Sequence, residues 1–276
     1  MLIRLGYDIS FDLPHPVSIV AMLHVHPSRA QFLQTPDSLR VEPELPIHEY
    51  TDSFGNICTR VVAPAGNIRF LGDATIFDSG EYDPQQLSAR EHPIEDLPDE
   101  VLQFLLSSRY CEVDLLSVVA YELFGHIAPG WGRVRAVCDW VWSRVRFGYH
   151  YARATRTALD VYTERVGVCR DFQHLAITFC RALNIPARYA TGYLGDIRWP
   201  VNGPMDFSAW FEVYLDHKWW TFDGRHNQPR IGRVLMATGR DAADVALTTS
   251  FGTANLRNFF VVTDEIVSDE SKGGTD

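Results

Sequence analysis

Cys169 and Asp223 fall where a reactive thiol and a carboxylate could work together. Cys169 follows a glycine-led turn in Gly167-Val168-Cys169-Arg170-Asp171-Phe172-Gln173-His174-Leu175, and an apolar-periodic run starts at once. Phe172, Leu175, Ala176, Phe179 and Leu183 recur at the spacing of a helix with one face in a core. Asn184-Ile185-Pro186 stops that helix, because proline disfavours helical geometry in the residue before it. Cys169 is thus expected at or just before the first turn, where unpaired backbone N–H groups and the helix dipole favour a negative charge. The thiolate is the nucleophilic form of cysteine. The plain alternative is a structural cysteine, since free cysteine is among the most buried residue types. The polar neighbours Arg170 and Asp171 and the place on the turn weigh against it.

A thiolate enzyme needs a base near its sulfur and a third group to orient that base. Asp223 closes the run Trp219-Trp220-Thr221-Phe222-Asp223, where a strand-end carboxylate can face a site. The base is expected from the strand before it. Metal chemistry has little support: no H-E-x-x-H occurs, and His24 and His26, two apart in an apolar run, read as a surface or interface pair with no third ligand in view.

The elements that must position these groups divide the chain. Residues 1–92 read as a β-rich domain of short strands: Ile3–Ile9 alternates, Val17–His26 is an apolar run, and His48–Val61 forms a hairpin with Phe54-Gly55-Asn56 at its tip. Regular short strands suggest a sandwich. Residues 82–99, with Pro84, Pro93 and Pro98 among acids, read as a linker. Helical patterns follow over Val101–Arg109 behind Asp99, Val113–Phe124, Trp131–Val145 and Thr157–Arg165. After the cysteine helix come strands over Ala187–Leu194, Asp206–Leu215 and Trp219–Asp223, a turn at Asp216-His217-Lys218, a loop over Gly224–Gly232, and closing strands at Val245–Thr249 and Asn258–Thr263. The expected organisation is a β domain over 1–92, a core over 93–265 and a disordered polar tail over 266–276.

Composition sets limits on function. The 276 residues are 46% hydrophobic, ample for a core, and the net charge of −10 argues against general binding of nucleic acid or anionic membranes. No run has the length of a transmembrane helix, and the start lacks the pattern of a signal peptide, so the expected location is cytoplasmic. The cysteines, at 58, 111, 138, 169 and 180, are odd in number and form no C-x-x-C, which argues against a disulfide framework or a cysteine-rich zinc site.

Four stretches in order, Gly167–Leu175, Leu183–Tyr193, Ala209–Tyr214 and Trp220–Asp223, resemble the transglutaminase-like superfamily, most of all its bacterial members with a β-rich N-terminal domain. The resemblance covers roughly residues 130–260. It implies an α+β fold: an N-terminal β-sandwich followed by a papain-like core whose cysteine helix packs on an antiparallel sheet. It also implies a peptide or protein substrate bearing an amide, and no cofactor. Cys169 matches the family's nucleophile and Asp223 its orienting acid.

The family's histidine precedes Ala-Trp on the middle strand, and here that position is Ser208, 39 residues after Cys169 and 15 before Asp223. Serine cannot take a proton from a thiol near neutral pH. Three explanations stand: a deliberately inactivated chain, a natural pseudoenzyme, or another histidine in the role. His226 lies three residues past Asp223, His217 sits in the hairpin turn, and His174 reads as packing or a polar contact. The sequence favours loss of the base over its replacement, and an introduced change over a natural one, so activity is expected to be very low. A Cys-dependent acyltransferase or amide hydrolase with an impaired triad is the leading reading; a non-catalytic peptide-binding module using the same cleft is the alternative. At least half of Trp199, Trp210, Trp219 and Trp220 are expected in core packing. An oxyanion donor is expected from the Cys169 backbone N–H, with a side-chain donor from the helix of Trp131 and Trp142 or from Tyr149–Tyr151.

Overall fold

A computed structural model describes residues 1–200 and 205–267. Six strands come first: β1 (Leu2–Leu13), β2 (Val17–Ala21), β3 (Arg40–Glu42), β4 (Ile47–Thr51), β5 (Ile57–Ala63) and β6 (Gly66–Phe77). Along β1 every second residue from Ile3 to Leu13 is buried, the period of a half-buried strand. The helical stretch then supplies α1 (Asp99–Leu102), α2 (Val113–Phe124) and α3 (Trp131–Arg144). The short parallel pair β7 (Arg146–Phe147) and β8 (Val166–Gly167) flanks α4 (Ala158–Glu164). The cysteine helix α5 (Cys169–Ala182) leads into β9 (Ala187–Leu194), β10 (Phe207–Leu215), β11 (Lys218–Phe222), β12 (Arg233–Gly239), β13 (Thr248–Ser250) and β14 (Asn255–Ile266).

Three antiparallel sheets result, in the orders β14-β1-β6-β3, β13-β2-β5-β4 and β11-β10-β9-β12. The first two enclose one core, with Ile3, Ile9 and Phe70 facing Ile19, Val61 and Ala63, and so form the expected sandwich. The third sheet packs on α5, whose other sides are covered by α2, α3 and α4. This is the α+β arrangement expected from the sequence.

Several local expectations need correction. The closing strands do not extend the core sheet. β13 pairs with β2, and β14 runs the length of β1, so chain expected within the 93–265 core completes the sandwich instead. Ile266, expected to open the tail, is the last residue of β14; the tail over 268–276 lies outside the described residues, as do 201–204 of the loop after Trp199. β12 lies within a segment for which no strand was expected, and it flanks β9. The helix expected over Val101–Arg109 ends at Leu102 and passes through a single tight turn, Gln103–Leu105. The cause is Arg181, which draws the carbonyl of Leu106 and the hydroxyl of Ser108 to its guanidinium. The stretch over 82–99 is no slack tether: Asp83 accepts from Arg230 N and Arg233 Nε, and Glu91 from Gly130 N and Arg133. His24 and His26 are not a surface pair either: His24 is buried against Thr59, whereas His26 accepts from Ser28 N.

The cysteine helix is buried nearly all round rather than on one face, because its polar residues find partners inside. Arg181 shows this best. It is 1% exposed, and its guanidinium donates to the carbonyls of Ala187 (3.0 and 2.8 Å), Leu106 (3.0 Å) and Arg240 (2.6 Å). One side chain therefore ties the end of α5 to β9, to the end of β12 and to the turn after α1. No helix of the described residues is long and apolar enough to cross a membrane. Arg181→Met leaves these buried carbonyls unpaired, each worth roughly 1–3 kcal/mol. A total loss of about 3 kcal/mol lowers the thermal midpoint by roughly 6–12 °C in a chain of this size, read by differential scanning calorimetry; an unchanged midpoint would contradict this role.

Candidate active site

Cys169 is the first residue of α5. The turn that delivers it is set by Asp171, whose carboxylate accepts from Val168 N at 2.9 Å and lies buried beside Arg170. Gly167 has to be glycine there: a Cβ would stand 2.6 Å from the Asp171 Cβ. Cys169 is partly exposed, while the other four cysteines are buried. It lines a cavity of ≈ 570 Å³ together with Asp206, Ser208 and Ala209. Desolvation pushes its thiol up to about 11; the Arg225 guanidinium and the Arg170 backbone N–H pull the other way.

Asp223 follows the end of β11 and is 5% exposed. Its Oδ1 accepts from Gln173 Nε2 (3.0 Å), Arg225 N (2.9 Å) and His226 N (3.0 Å). Its Oδ2 accepts from Arg233 Nη2 (2.9 Å) and meets His226 Nδ1 at 2.8 Å. Burial alone would raise this carboxyl, but the neighbouring His226 and Arg233 hold it far below the usual carboxylate range. The backbone bonds to Oδ1 are those of an aspartate-led turn, and that turn folds His226 back onto the side chain that starts it.

Gln173 fixes this turn to the cysteine helix. It lies one helical turn beyond Cys169 on the same side. Its amide donates to Asp223 Oδ1 and to the Ala209 carbonyl, and its oxygen accepts from Gly224 N at 3.0 Å. The segment 223–226 is thereby clamped beside the start of α5 and the middle of β10.

Ser208 is 6% exposed, and its Oγ has no hydrogen-bond partner among the described residues. Together with Asp206 and Phe207 it forms the wall shared by two cavities. On one side is the cavity holding Cys169. On the other is a polar cavity of ≈ 150 Å³ lined by His226, Arg225, Tyr149 and Trp199.

Among the three histidines that could replace a base at 208, only His226 meets Asp223. His217 has φ 59° in the β10–β11 turn and packs on His92. His174 is fully buried, accepts from Ala242 N at 3.1 Å and stacks on Tyr110; burial keeps it neutral. Trp210 is buried, and Trp219 and Trp220 pack on Phe104 and Trp131, which leaves Trp199 as the tryptophan of the four lining either cavity beside Ser208. Trp131 packs on Phe222 and Trp142 is exposed, whereas Tyr149 reaches the polar cavity.

Sequence reading did not single out Gln173 or Arg233. Gln173 left a trace, a polar residue one turn after Cys169 on a face otherwise apolar. Arg233 left none, because its other partner, Asp83, is 150 residues away.

The Transglutaminase-like superfamily core matches residues 119–224, ending two residues before His226. A crystal structure from Cytophaga hutchinsonii, described as a candidate cysteine protease, is 33% identical, with a TM-score of 0.84 over 98% of this chain and 92% of that one. An uncharacterized protein of Mycobacterium leprae, ML0607, is 30% identical over 117 residues, and the match spans 42% of its length. The chain belongs to the transglutaminase-like superfamily.

The depressed Asp223 carboxyl has a pH signature. Its charged form is favoured by folding, so its contribution is fully present above the unfolded carboxyl value near ~3.9 and is lost as pH falls below it. Asp223→Asn strips Arg233 and His226 of that charge and costs about 3 kcal/mol at neutral pH. Urea denaturation should show the gap between the two proteins constant from pH 7 to 5 and narrowing below pH 4; a gap that widens on acidification would contradict the assignment.

Proposed function

We propose that this chain is a thiol enzyme of amide chemistry, with Cys169 as nucleophile, His226 as base and Asp223 orienting the base. The 2.8 Å contact between His226 Nδ1 and Asp223 Oδ2 carries the reading. An ionised carboxylate only accepts hydrogen bonds, so Nδ1 holds a hydrogen, and in the neutral ring that tautomer puts the lone pair on Nε2. On this reading the base has not been lost with Ser208; it comes from the turn after β11 instead of from β10.

The thiol is held at about 11. Unaided, only about one molecule in 10⁴ would carry the thiolate at pH 7. A base that takes the proton as the sulfur attacks removes that penalty. Cys169 Sγ bonds to the carbonyl carbon of a peptide or protein amide while its proton passes, at the Ser208 boundary where the two cavities meet, to His226 Nε2. The oxyanion is met by the Cys169 backbone N–H, which has no acceptor within its own helix. The C–N bond then breaks, His226 returns the proton to the leaving amine, and a thioester remains. Water or a second amine attacks the thioester, gives a proton to His226, and releases the acyl group as the thiol is restored.

A second reading, a non-catalytic peptide-binding module using the same cleft, draws support from Arg233, which shares Oδ2 and offsets the charge that would steady an imidazolium. The two readings part on His226. Iodoacetamide labels Cys169 selectively because the other thiols are buried. On the enzyme reading, His226→Asn slows that labelling at pH 7, and amide turnover with it, by roughly 10²- to 10⁴-fold, and adding Ser208→His to that variant recovers part of the loss. Labelling and turnover indifferent to His226→Asn would overturn the enzyme reading and leave the binding module.

A further inference from the structure

The cavity in front of Cys169 has an apolar wall made by strands of the sandwich. Ile9 and Phe11 of β1 line it with Leu256 and Phe259 of β14. Leu256 and Phe259 are three apart, and on a regular strand they would face opposite sides. A bulge changes this. Phe259 pairs with Ile9 and Asn258 with Ser10, but Phe11 pairs with Leu256, so Arg257 is the extra residue. Its guanidinium is taken by Asp12 at 2.5 Å. The shift brings Leu256 onto the face of Phe259, and both side chains remain open, 56% and 39% exposed, beside a cavity of ≈ 570 Å³. That volume is in the range of pockets that enclose small ligands or a few residues of peptide.

We infer that this wall binds a large apolar side chain on the acyl part of a peptide substrate, next to the carbonyl attacked by Cys169. The inference rests on the reading of Cys169 as nucleophile. Placement of the acyl part follows from the two cavities that meet at Ser208. The leaving amine takes its proton from His226, which lines the polar cavity, whereas the acyl carbon bonds to sulfur in the apolar one. Among the described residues, the two charged side chains that line the apolar cavity, Arg170 and Asp206, already have partners. Arg170 is held by Asp171 and the Arg153 carbonyl, and Asp206 by the Phe207 N–H.

The test uses N-acetyl-Ala-Ala-Xaa chloromethyl ketones, with Xaa Leu, Phe, Asp or Lys, and follows alkylation of Cys169 by mass spectrometry. The Leu and Phe reagents should react roughly 10- to 100-fold faster than the Asp and Lys reagents, the discrimination an apolar pocket supplies. Leu256→Glu, at an exposed position that tolerates the change, should lower the Leu-to-Lys rate ratio about 10-fold or more. Equal rates across the four reagents, or a ratio unmoved by Leu256→Glu, would overturn the inference. So would a lauroyl chloromethyl ketone outrunning them all, which would give the wall to a lipid chain. Iodoacetamide labelling of wild type and His226→Asn runs in parallel. If it loses its His226 dependence, the proton-transfer scheme fails, while the reagent ranking on the same sulfur still decides the pocket.

Discussion

Taking the Asp223 carboxylate out of water costs several kcal/mol. The fold offsets that cost with one guanidinium, one imidazole, one side-chain amide and two backbone N–H groups, drawn from three parts of the chain. Charge-assisted bonds of this kind are each worth roughly 1.5–3 kcal/mol, so the group is stable only when all of its donors arrive together. Gln173 brings the cysteine helix, Arg233 brings the outer strand β12, and Asp83, through its own bond to Arg233, brings the stretch between sandwich and helices. The seating of the start of α5 against β10 and the turn after β11 thus depends, through Gln173, on satisfying this buried charge.

This dependence explains what could be read from the sequence. The start and stop of the cysteine helix, the β10–β11 hairpin and the strand-end position of Asp223 all rest on local signals: a glycine turn, a 3.6-residue period, a proline, and two residues with positive φ at Asp216-His217. The superfamily motifs carry the same local information. What stayed hidden depends on distant partners. The early end of α1 is decided by Arg181, the closing strands by the open edges of β1 and β2, and the charge of Asp223 by Arg233.

His226 lies between these two cases. A histidine three residues after an aspartate was visible, and its carboxylate contact follows from a turn that aspartates commonly start. The strand spacing nonetheless pointed to position 208, because a histidine there fits the family pattern. A strand position and a turn position can present a ring to the same carboxylate, and a linear spacing cannot tell them apart. Likewise, the bulge that turns Leu256 toward the cavity is a property of the pairing between β1 and β14, not of either strand alone.

In the proposed function, Asp223 holds His226 with Nε2 free to work on Cys169. Long-range ¹H–¹⁵N spectra of ¹⁵N-histidine-labelled protein at neutral pH test it most directly. The His226 signals are then expected to show hydrogen on Nδ1 and a bare Nε2, and the Nε2 resonance to move when Cys169 is alkylated. Hydrogen on Nε2 instead, or a ring whose signals ignore modification of the sulfur, would contradict it.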